Sequence, residues 1–317
     1  MHLGVPPHQV HFNGPLKLEG VLERALTDGA TIHIDHFEEM AMAERVAKEH
    51  GIRPKVAMRL NMVVESIQSW NRFGFNLENG QAQEAVKRLM NGGILELAGL
   101  HCHLGTFILE ADVYEQAARK MAKFANDLLS RDGVLLDFIA LGGGFPSQNI
   151  LKAQFLTGDK AVPSISRYAA AIAEGLSVLD YPSHSQPTLV LEPGRALVDE
   201  GGFLITTVVA NKHLPDNRRG LVVDAGVNSL FTSFWYNHEV VPAQPLRGIP
   251  EPTVIYGPLC MNIDVMRDKL MFPSLSVGDR LVFKNVGAYN VTQWMQFITY
   301  RPAVVLVGRD GRHSLIR

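Results

Sequence analysis

Cysteine is nearly absent: Cys102 and Cys260 are the two in 317 residues. Two thiols cannot make a disulfide framework, so a packed core has to hold the fold. No apolar run is long enough to span a bilayer and we read no secretory leader, which points to a reducing cytoplasm and no membrane partner. Surplus charge is missing too. Lys and Arg total 30 against 32 Asp and Glu, a formal net charge of -2, which leaves no field to attract nucleic acid or anionic lipid. Internal repeats and low-complexity segments are also lacking. What remains is a chain with 46% hydrophobic residues, enough for one large domain and one smaller one that act on small molecules or proteins.

Short β-rich runs at residues 10–13, 31–35, 55–60, 97–103, 137–141 and 188–191 alternate with amphipathic helical segments. That is the pattern of β/α units around a parallel sheet. Val21, Leu22, Ala25 and Leu26 form one helical face before Gly29, and Tyr114, Ala117, Met121, Phe124 and Leu128 form another before Gly133. Each glycine sits where a helix should stop. After Arg195 the runs at 203–209, 220–224, 253–256, 280–283 and 303–307 have no long helices between them. We expect an α/β domain over residues 1–198 and an all-β domain over 199–317. Residues 241–252 hold four prolines and read as a loop.

Thr188-Leu189-Val190-Leu191 reads as a buried parallel strand, and it ends on Glu192-Pro193-Gly194-Arg195. Proline cannot donate to the ladder and glycine lets backbone approach a ligand, so Glu192 and Arg195 sit at the open end of a sheet, where an α/β barrel does its chemistry. A surface ion pair at a strand end is the plainer alternative. Gly142-Gly143-Gly144-Phe145-Pro146 follows another apolar run. It offers backbone N–H groups to a phosphate, or makes a tight turn. His101 and His103 flank Cys102 on one strand and share a face. No third ligand supports a metal; a histidine stacked on a flat ligand, with Thr106 donating to an anion, stands beside a satisfied core histidine. Cys260 reads either as a buried, inert thiol or as a reactive one, and Tyr289 as a phosphate donor or a core tyrosine.

Taken in order, these stretches resemble the fold-type III pyridoxal-phosphate decarboxylases, the group containing diaminopimelate and ornithine decarboxylases. The similarity runs from Leu3-Gly4-Val5-Pro6-Pro7 to about Pro302 and rests on His103-Leu104-Gly105-Thr106, Gly142-Gly143-Gly144-Phe145-Pro146, Glu192-Pro193-Gly194-Arg195, Gly257-Pro258-Leu259-Cys260 and Gly287-Ala288-Tyr289. The resemblance implies a (β/α)8-type barrel followed by a C-terminal all-β domain, pyridoxal 5'-phosphate as cofactor, and a homodimer whose two chains share each site. It implies that Glu192 faces the pyridine nitrogen and keeps it protonated, and that His103 stacks on the ring. Gly142, Gly143, Gly144, Gly194, Arg195, Thr106 and Tyr289 would share the phosphate. Cys260 would return a proton to the substrate carbon across the dimer interface, and Arg59 would support the stacking histidine.

The departures are as informative. Family members carry the Schiff-base lysine on the first barrel strand, and no matching pattern occurs here; Lys17 lies in Asn13-Gly14-Pro15-Leu16-Lys17, which resembles a later family segment. The expectation is a barrel lacking its first two strands, with the strands near Val10 and Thr188 as open edges, in an N-terminally shortened enzyme. A non-catalytic decoy or interaction subunit on the same fold is the alternative. A racemase would need a base on the second face that we do not find. Met261 stands where the relatives have an acidic residue, and Thr232 where diaminopimelate decarboxylases place an arginine. With Asp264, these are the substrate-side positions, and they favour a distal group other than a bare ammonium. The run from Gly287 to Phe297 resembles a branch with specialised, siderophore-type substrates.

Overall fold

A computed structural model describes residues 4–152, 154, 161–245 and 248–316. Leu3, where the resemblance begins, and residues 246–247 of the proline-rich stretch lie outside the described residues. The chain forms two compact units, Met1–Phe145 with Pro163–Pro193, and Pro146–Val162 with Gly194–Arg317.

The first unit runs β1 (His11–Phe12), α1 (Glu19–Asp28), β2 (Thr31–Ile34), α2 (Phe37–His50), β3 (Lys55–Asn61), β4 (Phe75–Asn76), α3 (Gln81–Gly92), β5 (Glu96–Cys102), α4 (Ala111–Asp132), β6 (Phe138–Leu141), α5 (Ile165–Leu176) and β7 (Thr188–Leu191). Its sheet is parallel in the order β1-β2-β3-β5-β6-β7, with β4 attached to the end of β3. The sheet curls into a half-barrel, and among the described residues β1 and β7 are its edges. Gly29 and Gly133 end α1 and α4 in the left-handed conformation, at φ 89° and 67°, a geometry that costs glycine little.

β6 is buried along its length, which explains its unbroken apolar sequence. β7 corrects the expectation of a strand covered on both faces. Among the described residues it pairs only with β6, and Leu189 and Leu191 are 39% and 41% exposed. An apolar run identifies the strand, but burial depends on what lies on either side.

The second unit contains the short α6 (Gly194–Val198) and β8 (Phe203–His213), β9 (Arg219–Val223), β10 (Val240–Pro242), β11 (Glu251–Tyr256), β12 (Val265–Phe272), β13 (Arg280–Lys284), β14 (Val305–Val307) and β15 (His313–Leu315). Six strands form a mixed sheet in the order β10-β13-β8-β9-β11-β12, while β14 and β15 pair with each other. Its core includes Val208, Leu221, Val223, Ile255, Met266, Leu281 and Phe283. β12 was not expected, because Arg267-Asp268-Lys269 interrupts its apolar alternation and Lys269 takes a positive φ of 51°. The supposed proline loop is strand at both ends, where β10 closes on Pro242 and β11 opens at Glu251. No helix among the described residues is long and apolar enough to cross a membrane.

Candidate functional site

Strand register brings the candidate residues of the first unit together. Cys102 of β5 pairs with Leu141 of β6, which pairs with Leu191 of β7. The next residue of each strand therefore emerges beside the others: His103, Gly142 and Glu192. The chain turns sharply here, and a side chain on the glycine loop would not fit. A Cβ on Gly142 would stand 2.7 Å from Cys102 O and 2.8 Å from His103 Nδ1, and one on Gly143 would stand 3.0 Å from Glu192 O. Gly144 adopts φ 102° with Gly105 O and the Tyr114 hydroxyl beside it. The expectation that three N–H groups converge on an anion needs correction. The Gly142 N–H donates to Cys102 O at 2.6 Å and the Gly143 N–H to His103 Nδ1 at 3.1 Å. Among the described residues only the Gly144 N–H of the three has no partner.

Because His103 Nδ1 accepts that bond, the ring presents its proton on Nε2. Burial lowers the His103 pKa, and the charge of Arg59 adds to the effect. Trp70 lies against His103, with ring centroids 5.4 Å apart and planes tilted by 31°. Sequence reasoning missed Trp70, which sits in an aperiodic segment with no signal of its own. Arg59 is buried, bonds Asp35 Oδ1 at 3.2 Å, and lies 4.5 Å from the centre of the Phe73 ring. Thr106 is exposed one turn beyond His103.

Glu192 receives a hydrogen bond from Asn13 Nδ2 on Oε1 at 2.6 Å, and His101 Nε2 lies 3.3 Å from the same oxygen. Burial works to raise its pKa, but His101, His103 and Asn13 outweigh that and lower it. The carboxylate therefore stays ionised. Lys17 is fully buried, and its Nζ donates to Gly14 O, His33 O and Glu39 Oε1 at 2.6, 2.9 and 2.8 Å. All three of its protons are used.

In the second unit, the Arg195 guanidinium lies 4.7 Å from the Tyr289 ring centre and 5.2 Å from that of Tyr236. Tyr289 is 48% exposed at a positive φ of 66°. Asp199, which sequence reasoning also missed, fixes the turn that carries it. Its Oδ1 accepts the Ala288 N–H at 3.1 Å, its carbonyl accepts the Gly287 N–H at 2.9 Å, and Oδ2 accepts from Ser147 Oγ and Asn149 Nδ2 at 2.5 and 2.8 Å. Gly194, at the start of α6, has open space where a Cβ would stand. Cys260 is exposed, which sets aside the buried, inert alternative.

Two of the three substrate-side residues are buried and already bonded within their unit. Asp264 is 3% exposed and spends its carboxylate on the Val227 and Leu259 N–H groups at 2.8 and 2.7 Å. It anchors the turn that carries Cys260. Thr232 is 1% exposed, with Oγ1 2.8 Å from His238 Nε2 and 2.9 Å from Asn290 Oδ1. Met261 is half-buried and packs partly against the core of its unit.

These residues fit pyridoxal phosphate. A half-buried imidazole, an ionised carboxylate with one oxygen that no described residue partners, and a crowded glycine loop with an uncommitted N–H occupy one end of the first unit. The second unit presents an arginine beside an exposed tyrosine. The comparisons agree. The family model "Pyridoxal-dependent decarboxylase, pyridoxal binding domain" matches residues 1–199, and "Pyridoxal-dependent decarboxylase, C-terminal sheet domain" matches residues 113–287. The diaminopimelate decarboxylases of Bacillus methanolicus and Archaeoglobus fulgidus are 28% and 29% identical to the chain, over 99% of it and 74% of their own lengths. The crystal structure of diaminopimelate decarboxylase from M. jannaschii in co-complex with L-lysine matches with a TM-score of 0.86 at 26% identity, covering 99% of this chain and 72% of that one. The Helicobacter pylori enzyme complexed with L-lysine matches with a TM-score of 0.85 at 26% identity, over 100% and 77% of the two chains. The half-barrel, its glycine loop and the sheet unit that follows thus place this chain in the pyridoxal-dependent decarboxylase family of fold type III.

Proposed function

We propose that the chain decarboxylates an amino acid in the manner of the diaminopimelate decarboxylases. The observation that carries this reading is the meeting of His103, the Gly142–Gly144 loop and Glu192 on three strand ends in register. Pyridoxal phosphate, when bound, supplies an electron sink for the pair left behind as carbon dioxide departs. Glu192 holds a proton at the ring nitrogen, and its lowered pKa keeps it anionic for that task. His103 covers one ring face and excludes water from it. The Gly144 N–H, Thr106, Arg195, Tyr289 and the Gly194 backbone hold the phosphate, whose charge calls for several donors. The carbon that loses its carboxylate needs one proton in exchange, and the exposed thiol of Cys260 delivers it. We place that thiol in the site of a second copy, so the working form is a homodimer in a reducing compartment, where the thiol stays free.

On the substrate side, Met261 supplies no charge and Asp264 and Thr232 are already bonded within the fold. This supports a substrate whose distal end is not a bare ammonium, including the specialised, siderophore-type amino acids. One observation favours a second reading, a non-catalytic subunit that binds the cofactor: the buried Lys17 has no free donor.

Titration of the chain with pyridoxal phosphate, followed by borohydride and mass analysis, separates the two readings. A lysine adduct together with carbon dioxide release from diaminopimelate or a related amino acid supports the enzyme. Saturable binding with neither adduct nor release supports the subunit, and no binding refutes both.

A further inference from the structure

We infer that Asn13 and His101 are positioning residues that hold one oxygen of Glu192 and so reserve the other for the ring nitrogen of the cofactor. The inference rests on the pyridoxal reading above. Both residues converge on Oε1: Asn13 donates to it at 2.6 Å from just beyond β1, and His101 approaches it to 3.3 Å from within β5. Among the described residues none partners Oε2. The terminal torsion of a glutamate is broad and nearly two-fold, so a carboxylate held by one bond can still swing. A hydrogen bond from Asn13 beyond β1 and the close approach of His101 from β5 meet on one oxygen, which restricts the carboxylate and aims the second oxygen.

His101 is otherwise hard to explain. It is 1% exposed, and neither ring nitrogen makes an aligned hydrogen bond. A buried imidazole in that state is costly unless the site uses it. The layer beneath leaves Glu192 free of competing charge. His33 lies 4.8 Å from His101 between ring centres, and its Nε2 is 3.0 Å from His11 Nδ1. Burial, reinforced by the surrounding cations and histidines, lowers the His33 pKa to about 2, and burial lowers that of His11. The nearby cations are engaged elsewhere, Arg59 with Asp35 and Lys17 with Glu39. With His33 and His11 neutral and Asn13 an amide, no described cation is bonded to Oε2, and that oxygen is left for the ring nitrogen.

The test compares binding of two probes to the apoprotein by fluorescence titration: pyridoxal phosphate and its 1-deaza analogue, in which carbon replaces the ring nitrogen. The intact chain should prefer pyridoxal phosphate by about 10- to 100-fold, the range of a hydrogen bond to a charged group. His101→Ala and Asn13→Ala should each cut that preference to roughly threefold or less with little change in affinity for the analogue, and His101→Gln should restore most of it. An unchanged preference in both variants overturns the inference, and so does equal weakening of both probes, which is what a purely structural role predicts. Asn13 is half-buried, so its variant keeps the test decisive if the His101 variant folds poorly. Failure of the intact chain to bind either probe refutes the pyridoxal reading, and the inference falls with it. Binding of both without preference refutes the inference alone.

Discussion

β6 and β7 are neighbours in one sheet and nearly identical in kind, yet Phe138-Ile139-Ala140-Leu141 is buried throughout while Leu189 and Leu191 stand 39% and 41% exposed. β6 is paired on both sides and packed against α4, while among the described residues β7 is paired on one side only. The two strands also carry different glycines. Gly142, after β6, has backbone and His103 where a Cβ would go, whereas Gly194, beyond β7, has open space. Strand identity is thus local, and the tolerance of a strand to change is set by its neighbours.

The sharpest way to break this comparison is to empty each strand in turn. Ile139→Ala should cost about 2–4 kcal/mol in urea unfolding and Leu189→Ala less than about 1 kcal/mol, because only the first leaves a cavity. Equal losses would mean that β7 is covered in solution. The next effect is on ligand. Gly142→Val should weaken pyridoxal phosphate binding by roughly 10- to 100-fold through the collision with Cys102 O and His103, while Gly194→Ala stays within about threefold.

A third effect depends on pH. His33 stacks on Phe138 of β6 and is held neutral in the folded chain, with its pKa lowered to about 2 from an ordinary 6.5. Below 6.5 the unfolded chain takes up a proton that the folded chain refuses, so stability falls as pH drops from 6.5 toward 2 and is unaffected by His33 above that window. The His33 contribution to the slope should approach about 1.4 kcal/mol per pH unit, and His33→Phe should reduce the slope by about that much in unfolding curves collected between pH 7 and 5. The smallest effect belongs to the edge. Leu189→Lys should change stability by no more than about 0.5 kcal/mol and reduce self-association in sedimentation, because a charge on an open strand discourages pairing with another chain.

The sequence made the half-barrel legible because β-rich runs and helical faces alternate with capping glycines, and Gly29 and Gly133 stop helices where expected. It also pointed to His103, Glu192 and the glycine loop, since each follows an apolar run directly. What it concealed are relationships between distant residues. Asn13 and Glu192 are 179 positions apart, and no local pattern announces that they share a hydrogen bond. Trp70 and Asp199 act through packing and backbone bonds that leave no periodicity. Asp264 and Thr232 look like polar side chains available to a ligand until their hydrogen bonds are traced into the fold.

The Asp199 junction also orders events in time. Its carboxylate gathers Ser147 from 52 residues upstream and the Ala288 N–H from 89 residues downstream. A chain emerging from the ribosome reaches Asp199 well before the segment that carries Tyr289. At about 5–20 residues per second, the 89 residues between Asp199 and Ala288 take roughly 4 to 18 s to synthesise. During that interval the half-barrel strands have all been made, while the turn that presents Tyr289 has yet to be clamped. The glycine loop is therefore made first, and the turn that presents Tyr289 is the last part of the Asp199 junction to be secured.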